Sequence, residues 1–241
     1  MNRRLVLIAA VSLSVAAACG LLALLMATLL VGGDYRSWAA KRGSCVAMPW
    51  AEKAAEPRTA DLEWSGSDVV KIRIPARVHY QPGPKPQASV SGDAELVSHV
   101  RMRDGTLEWD TIDDCFPAHD LVVQLSGPAV QAWTMNGSAE LDLSDIKQDA
   151  LHVTMHGSGT VTASGEVHEA SLQATGSSRA NQSRLVAQQV SARTSGSADV
   201  DLAPRDEADI SISGSAVVRL HGTVARIRSH VSGSGQIKQV P

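Results

Sequence analysis

Downstream of about residue 118, apolar and polar positions alternate with a period of two, and the alternation is broken at regular places by Gly-Ser pairs. These are Gly137-Ser138, Gly157-Ser158, Gly176-Ser177, Gly196-Ser197, Gly214-Ser215 and Gly233-Ser234, separated by 20, 19, 20, 18 and 19 residues. A near-constant period of this length marks a repeat architecture. Aligned on the glycine, further columns emerge. Two residues before it stand Met135, Met155, Ala174, Thr194, Ile212 and Val231; four before stand Trp133, Val153, Leu172, Ala192, Ile210 and Ser229. Four after stand Leu141, Val161, Ala180, Val200, Val218 and Ile237, and the residue just before the glycine is always polar. Each repeat therefore reads as a short strand, a Gly-Ser turn and a second short strand, with another corner near Ser144-Asp145, Ser164-Gly165, Pro204 and His221-Gly222.

Such a unit cannot bury its apolar face alone. Stacked at about 4.8 Å per layer, successive units form parallel sheets around a narrow core. Glycine gives the corner a positive φ at little steric cost, and the following serine can hydrogen-bond the turn backbone and stack in a ladder. The prediction is an all-β protein, a single-stranded parallel β-solenoid of about six rungs, roughly 30 Å long by the strand spacing. An antiparallel sandwich or barrel of hairpins accounts for the alternation but does not require one residue type to return at one place in every repeat.

Upstream, Val70, Ile72 and Ile74 alternate with Lys71 and Arg73, and Leu107 and Trp109 with Glu108 and Asp110, which are strand patterns. The segment Gln81-Pro82-Gly83-Pro84-Lys85-Pro86 must be a loop; Ser91-Gly92-Asp93 and Asp104-Gly105 read as turns. At the amino terminus, residues 5–31 carry no charge. As a helix this run reaches roughly 40 Å, enough to span a ~30 Å hydrocarbon layer with tilt. The expected organisation is a cytoplasmic stub at 1–4, a transmembrane anchor at 5–31, a linker at 32–60 and the solenoid at 61–241. A cleaved signal ending at Ala16–Ala18, with secretion of the rest, and a lipidated Cys19 are the alternatives. Arg3 and Arg4 place the stub inside, with Tyr35 and Trp38 at the outer interface. The expected address is thus the inner membrane, single-pass, with the carboxy-terminal domain in the periplasm or extracytoplasmic space.

Composition sharpens this picture. All eight aromatic residues lie at or before Trp133, so the repeats must be filled by small and aliphatic side chains. Removing residues 1–43 leaves 17 basic against 24 acidic residues, a net of −7, and no basic stripe, which argues against nucleic acid. Cys45 and Cys115 are the cysteines outside the apolar run. In an oxidising compartment they read either as a disulfide or as two unpaired thiols.

The run Val90-Ser91-Gly92-Asp93, then Leu96, then Asp104-Gly105-Thr106-Leu107, followed by the periodic Gly-Ser turns, resembles the bacterial family of putative auto-transporter adhesins with a GIN-type head domain. The resemblance covers about Leu62 to Val240. It implies a β-solenoid in the cell envelope and an adhesin label in a family whose activity is largely unknown.

The residues themselves offer little catalytic chemistry. Carbohydrate-active solenoids need carboxylates converging on a groove, alone or with Arg or Lys. The candidates are Asp113 with Asp114; Asp142, Asp145 and Asp149; and Asp199, Asp201, Asp206 and Asp209. Most fall on outward or corner positions and read as solvated surface. His152, His156 and His168 lack a specified third partner for a metal, and neither a phosphate loop nor a Gly-x-Ser-x-Gly nucleophile motif is present. No catalytic residue, metal ligand or cofactor is assigned. Trp64, Trp109 and Trp133 read as a cluster capping the first rungs or as a carbohydrate-stacking platform. The last rung, lacking a polar cap, offers a surface for self-association or partner docking. The expected function is non-enzymatic: a membrane-tethered solenoid binding an envelope protein or glycan. A carbohydrate-active enzyme and a structural or assembly module are the alternatives.

Overall fold

Alternation in the sequence becomes alternation of exposure. In the strand Thr160–Gly176 (β10), Val161, Ala163, Val167, Ala170, Leu172 and Ala174 are buried, and the residues between them face outward. The computed structural model describes residues 57–110 and 121–241. The apolar run 5–31, the linker up to residue 56, both Cys45 and Cys115, and the Asp113–Asp114 pair lie outside the described residues.

Four long bent strands make the body: Glu140–Gly157 (β9), β10, Arg179–Gly196 (β11) and Asp199–Gly214 (β12), each paired in parallel with the next. Each bends at a corner, Asp145 with φ +57° in β9 and Gly165 with φ +129° in β10, so one strand contributes to two faces. The coil closes with Val217–His221 (β13), Arg226–Gly233 (β14) and Gln236–Val240 (β15), continuing both faces in parallel. The result is a parallel β-solenoid of about five turns.

The Gly-Ser corners form one vertical file. Gly137 stands beside Gly157, then Gly176, Gly196, Gly214 and Gly233 in unbroken register. The expected serine ladder takes a different form. It is the backbone N–H of each corner serine that donates to the glycine carbonyl of the rung before: Ser158 to Gly137 (2.9 Å), Ser177 to Gly157 (3.0 Å), Ser197 to Gly176 (2.9 Å). The corner serines Ser138, Ser158, Ser177, Ser197, Ser215 and Ser234 are themselves exposed. Immediately after the corner a buried small residue recurs, Ala139, Gly159, Ser178, Ala198 and Ala216, because the chain turns there into the narrow interior.

The solenoid begins out of order. Val69–Ile72 (β2) and Arg77–Pro82 (β3) form a rung that lies between later strands. On one side are Thr106–Trp109 (β6), next to β2, and Val122–Gly127 (β7), next to β3. On the other side are Ala132–Gly137 (β8), next to β2, and β9, next to β3. Antiparallel elements absent from the repeat pattern cover this end. Gln87–Asp93 (β4) pairs with β7, Pro57–Asp61 (β1) with β4, and Val100–Arg103 (β5) with β6. The sheet thus starts at Pro57, inside the stretch read from the sequence as linker. Asp104-Gly105, with φ +47° and +73°, makes the tight β5–β6 turn. Ser91-Gly92-Asp93 is not a simple turn. It ends β4 and leads into a short helix, Ala94–His99 (α1), whose first turn is capped by the Asp93 carboxylate accepting from the Glu95 amide at 2.9 Å.

Candidate ligand-binding face

The strand order of the first face is β1-β4-β7-β3-β9-β10-β11-β12-β13-β15. Because register is kept from strand to strand, one outward position of each falls in a single row. That row reads Asp61, Ser89, Gln124, His79, Asp142, Thr162, Asn181, Asp201, Arg219 and Lys238. All ten side chains are polar. At about 4.8 Å per strand the row runs for roughly 43 Å. Beside its first half lies a second row, Gln87–Ser126–Gln81.

Where the two rows run together the sheet forms an open cleft of about 600 Å³, lined among others by Asp61, His79, Gln81, Gln87, Ser89, Gln124, Ser126 and Ser144. Its side chains are arranged by neighbours at the rim. Gln81 Nε2 donates to Asp145 Oδ2 at 3.1 Å, and His79 Nδ1 lies 3.4 Å from Asp142 Oδ2. Neither Lys nor Arg is among the lining residues.

The far end of the same row has a different character. Arg219 Nη1 donates to Asp199 Oδ1 at 2.5 Å and to Asp201 Oδ2 at 3.3 Å, and His221 Nε2 lies 2.8 Å from Asp201 Oδ1. The hydrogen bond and charge of Asp199, then the charge of Asp201, hold the Arg219 guanidinium above its ordinary pKa. This cluster is saturated by its own ion pairs.

The structure brings some sequence-flagged residues together and separates others. Asp199 and Asp201 meet at Arg219, while Asp206 and Asp209 are exposed elsewhere on the coil. Asp142 and Asp145 border the cleft; Asp149 is exposed beyond the bend. His152, His156 and His168 are all exposed, and His152 and His156 occupy separate outward rows of the second face, beside Ser171 and Thr175. Among the described residues no group of His, Cys, Asp and Glu is placed to hold a metal ion.

Two of the three tryptophans among the described residues are interior. Trp64 and Trp133 are 9% and 1% exposed and sandwich Tyr80, with centroid distances of 6.4 Å and 5.2 Å. The Tyr80 hydroxyl donates to the Pro128 carbonyl at 2.7 Å. Burial pushes its pKa up, and a backbone hydrogen bond at Val130 offsets part of that rise. Trp109 is half-buried against the core on β6. The rings of Trp64, Tyr80 and Trp133 therefore fill the capped end of the core. Sequence reasoning missed the cleft. Its polar residues were visible as the outward half of each alternation, but their adjacency depends on β7, β3 and β9 lying side by side out of chain order.

Comparison with known proteins supports the same architecture. The family described as "Putative auto-transporter adhesin, head GIN domain" matches residues 68–239. A crystal structure of a putative adhesin from Bacteroides fragilis is similar over 77% of this chain and 97% of its own, with 17% identity and a TM-score of 0.62. A putative lipid binding protein from Parabacteroides distasonis covers the same shares at 17% identity, with a TM-score of 0.49. A putative adhesin from Parabacteroides merdae does so at 15% identity and 0.46. A search of curated proteins finds no match. With the family match spanning most of the chain and the solenoid fold shared with a solved adhesin-type structure, this protein belongs to the putative auto-transporter adhesin, head GIN domain family.

Proposed function

We propose that the protein is a non-enzymatic, adhesin-like binding module of the cell envelope, tethered by residues 5–31 with its solenoid on the extracytoplasmic side. The observation that carries the reading is the unbroken polar row across the ten strands of the first face. A long surface rich in hydrogen-bonding side chains is suited to holding a partner by many weak contacts. The apolar run is long enough to span a bilayer, and its Arg3–Arg4 flank supports the orientation. Among the described residues no helix is long and apolar enough to cross a membrane.

The test uses the full chain. Resistance of the membrane-bound protein to alkaline extraction, with protease reaching the body only from the outer side, supports the tether. Extraction with the soluble fraction overturns it. For binding, the detergent-solubilised chain retains envelope material, and replacing Gln124, Thr162 and Asn181 together by leucine abolishes retention. Undiminished retention by that variant removes the polar row from the function. A second reading, self-association through the last rung, is favoured by Ile227 and Val231, which stand 39% and 41% exposed on β14. Sedimentation of the wild type and of Ile227→Asp decides it.

A further inference from the structure

We infer that the cleft on β4, β7 and β3 binds a neutral, polyhydroxylated chain, that is, an uncharged polysaccharide segment. The inference rests on the binding-module reading above and names the ligand class of that site. Its first support is the kind of group presented. Gln81, Gln87 and Gln124 supply three primary amides and Ser89 and Ser126 two hydroxyls to one cleft. Each amide carries a donor pair and an acceptor in one plane, the pairing that neighbouring sugar hydroxyls satisfy. The side-chain amides of Gln87 and Gln124 have no hydrogen-bond partner among the described residues and are available, while that of Gln81 is oriented by Asp145.

The second support is spacing. Ser89 and Gln124 lie directly across from each other, as do Gln124 and His79, and the parallel row places Gln87, Ser126 and Gln81 in the same strand order. Polar groups therefore recur at the strand interval, about 4.8 Å, a repeat close to that of one sugar unit in an extended chain. Beyond the cleft the row continues through Thr162 and Asn181, giving a polymer somewhere to run.

The third support is charge. The cleft has no lysine or arginine, and Asp61 stands at its edge. An anionic polymer, whether a uronate, a phosphate polymer or a nucleic acid, would meet the Asp61 carboxylate and no lysine or arginine. A neutral ligand meets no such penalty. The volume of about 600 Å³ lies within the roughly 300–1,000 Å³ of small-ligand sites.

The test is retention of the full chain, in detergent, on immobilised dextran, mannan and laminarin, with alginate as the anionic comparison. Retention on at least one neutral polymer is expected, weakened roughly tenfold or more in Gln87→Leu/Gln124→Leu, the loss expected for two hydrogen bonds. Arg193→Leu, on the other face, is expected to bind like the wild type. Circular dichroism establishes that both variants are folded. No retention on any neutral polymer, preference for alginate, or full binding by the glutamine variant overturns the inference. If envelope material is still captured in a row-dependent way while every neutral polymer fails, the ligand class is wrong and the binding module stands. If both fail, both readings fall.

Discussion

A Cβ placed on Gly176 would stand 2.5 Å from the carbonyl oxygen of Gly157, the same oxygen that accepts the corner hydrogen bond from the next rung. Gly176 also has φ +108°, which side-chain-bearing residues rarely adopt. Two independent constraints thus select glycine. Gly176→Ala is expected to destabilise the fold by about 2–4 kcal/mol, combining backbone strain with displacement of the rung below. Gly137→Ala shares the positive φ but meets nothing within 4 Å, so it should cost about 1–2 kcal/mol. Urea melts of the two variants check the ordering; equal losses would show that stacking is not the limiting constraint.

The interior of the rung that contains β11 carries polar groups that the rungs beside it lack. Ser178 occupies the small buried column otherwise filled by Ala and Gly, and its hydroxyl has no partner; Thr194 lies buried between Ala174 and Ile212, also unpartnered. Ser178→Ala and Thr194→Val should each stabilise by about 1 kcal/mol, because they remove an unsatisfied group without opening space. Thermal denaturation measures this, and a decrease in Tm for both would contradict it.

Tyr80 links the capped end to the coil through its two tryptophan neighbours and the Pro128 carbonyl. Tyr80→Phe keeps the packing and loses the hydrogen bond, for about 1 kcal/mol; Trp133→Ala opens a cavity, for about 3–5 kcal/mol. Burial raises the folded pKa of Tyr80 above its unfolded value. The stability it contributes is complete below the ordinary tyrosine pKa and declines as pH rises through the folded one. Alkaline melts of wild type should therefore fall more steeply than those of Tyr80→Phe.

Acid is expected to loosen the opposite side of the cap. Asp110 Oδ1 lies 2.9 Å from His99 Nδ1 and Asp110 Oδ2 lies 2.7 Å from Arg101 Nη2. The His99 hydrogen bond, the largest effect, holds the carboxyl below the usual carboxylate range; burial opposes it, and the charges of Arg101, His99 and Arg103 add to the lowering. A depressed folded pKa means stability present above the unfolded pKa and lost as pH falls through the folded one. The protection factors of the β5 and β6 amides, measured against the intrinsic exchange rate at each pH, should fall on acidification in wild type and change less in Asp110→Asn.

The repeats were legible because one physical constraint, stacking, acts on every rung at the same place. Columns such as Val161–Ala180–Val200 could be read from spacing alone, and the register reproduces them. The first third of the domain resisted such reading. The alternation at Val70 and Ile72 identified a strand but not its neighbours, since β2 pairs with β6 and β8, both later in the chain. The pairing of β1 with β4 and the short α1 helix leave no periodic trace. The cleft inherits that difficulty, being assembled from Gln87, Gln124 and Gln81 on strands whose order in space differs from their order in sequence.

The inserted rung also dictates an order of assembly. A coil of this type can usually grow by adding each turn to the one already wound, but β2 and β3 cannot take their final places until β6 to β9 are available to hold both their edges. Closure of the amino-terminal end is therefore a long-range event, slow relative to winding of the repeats. The polar cleft, which spans that closure, comes into existence only once it is complete.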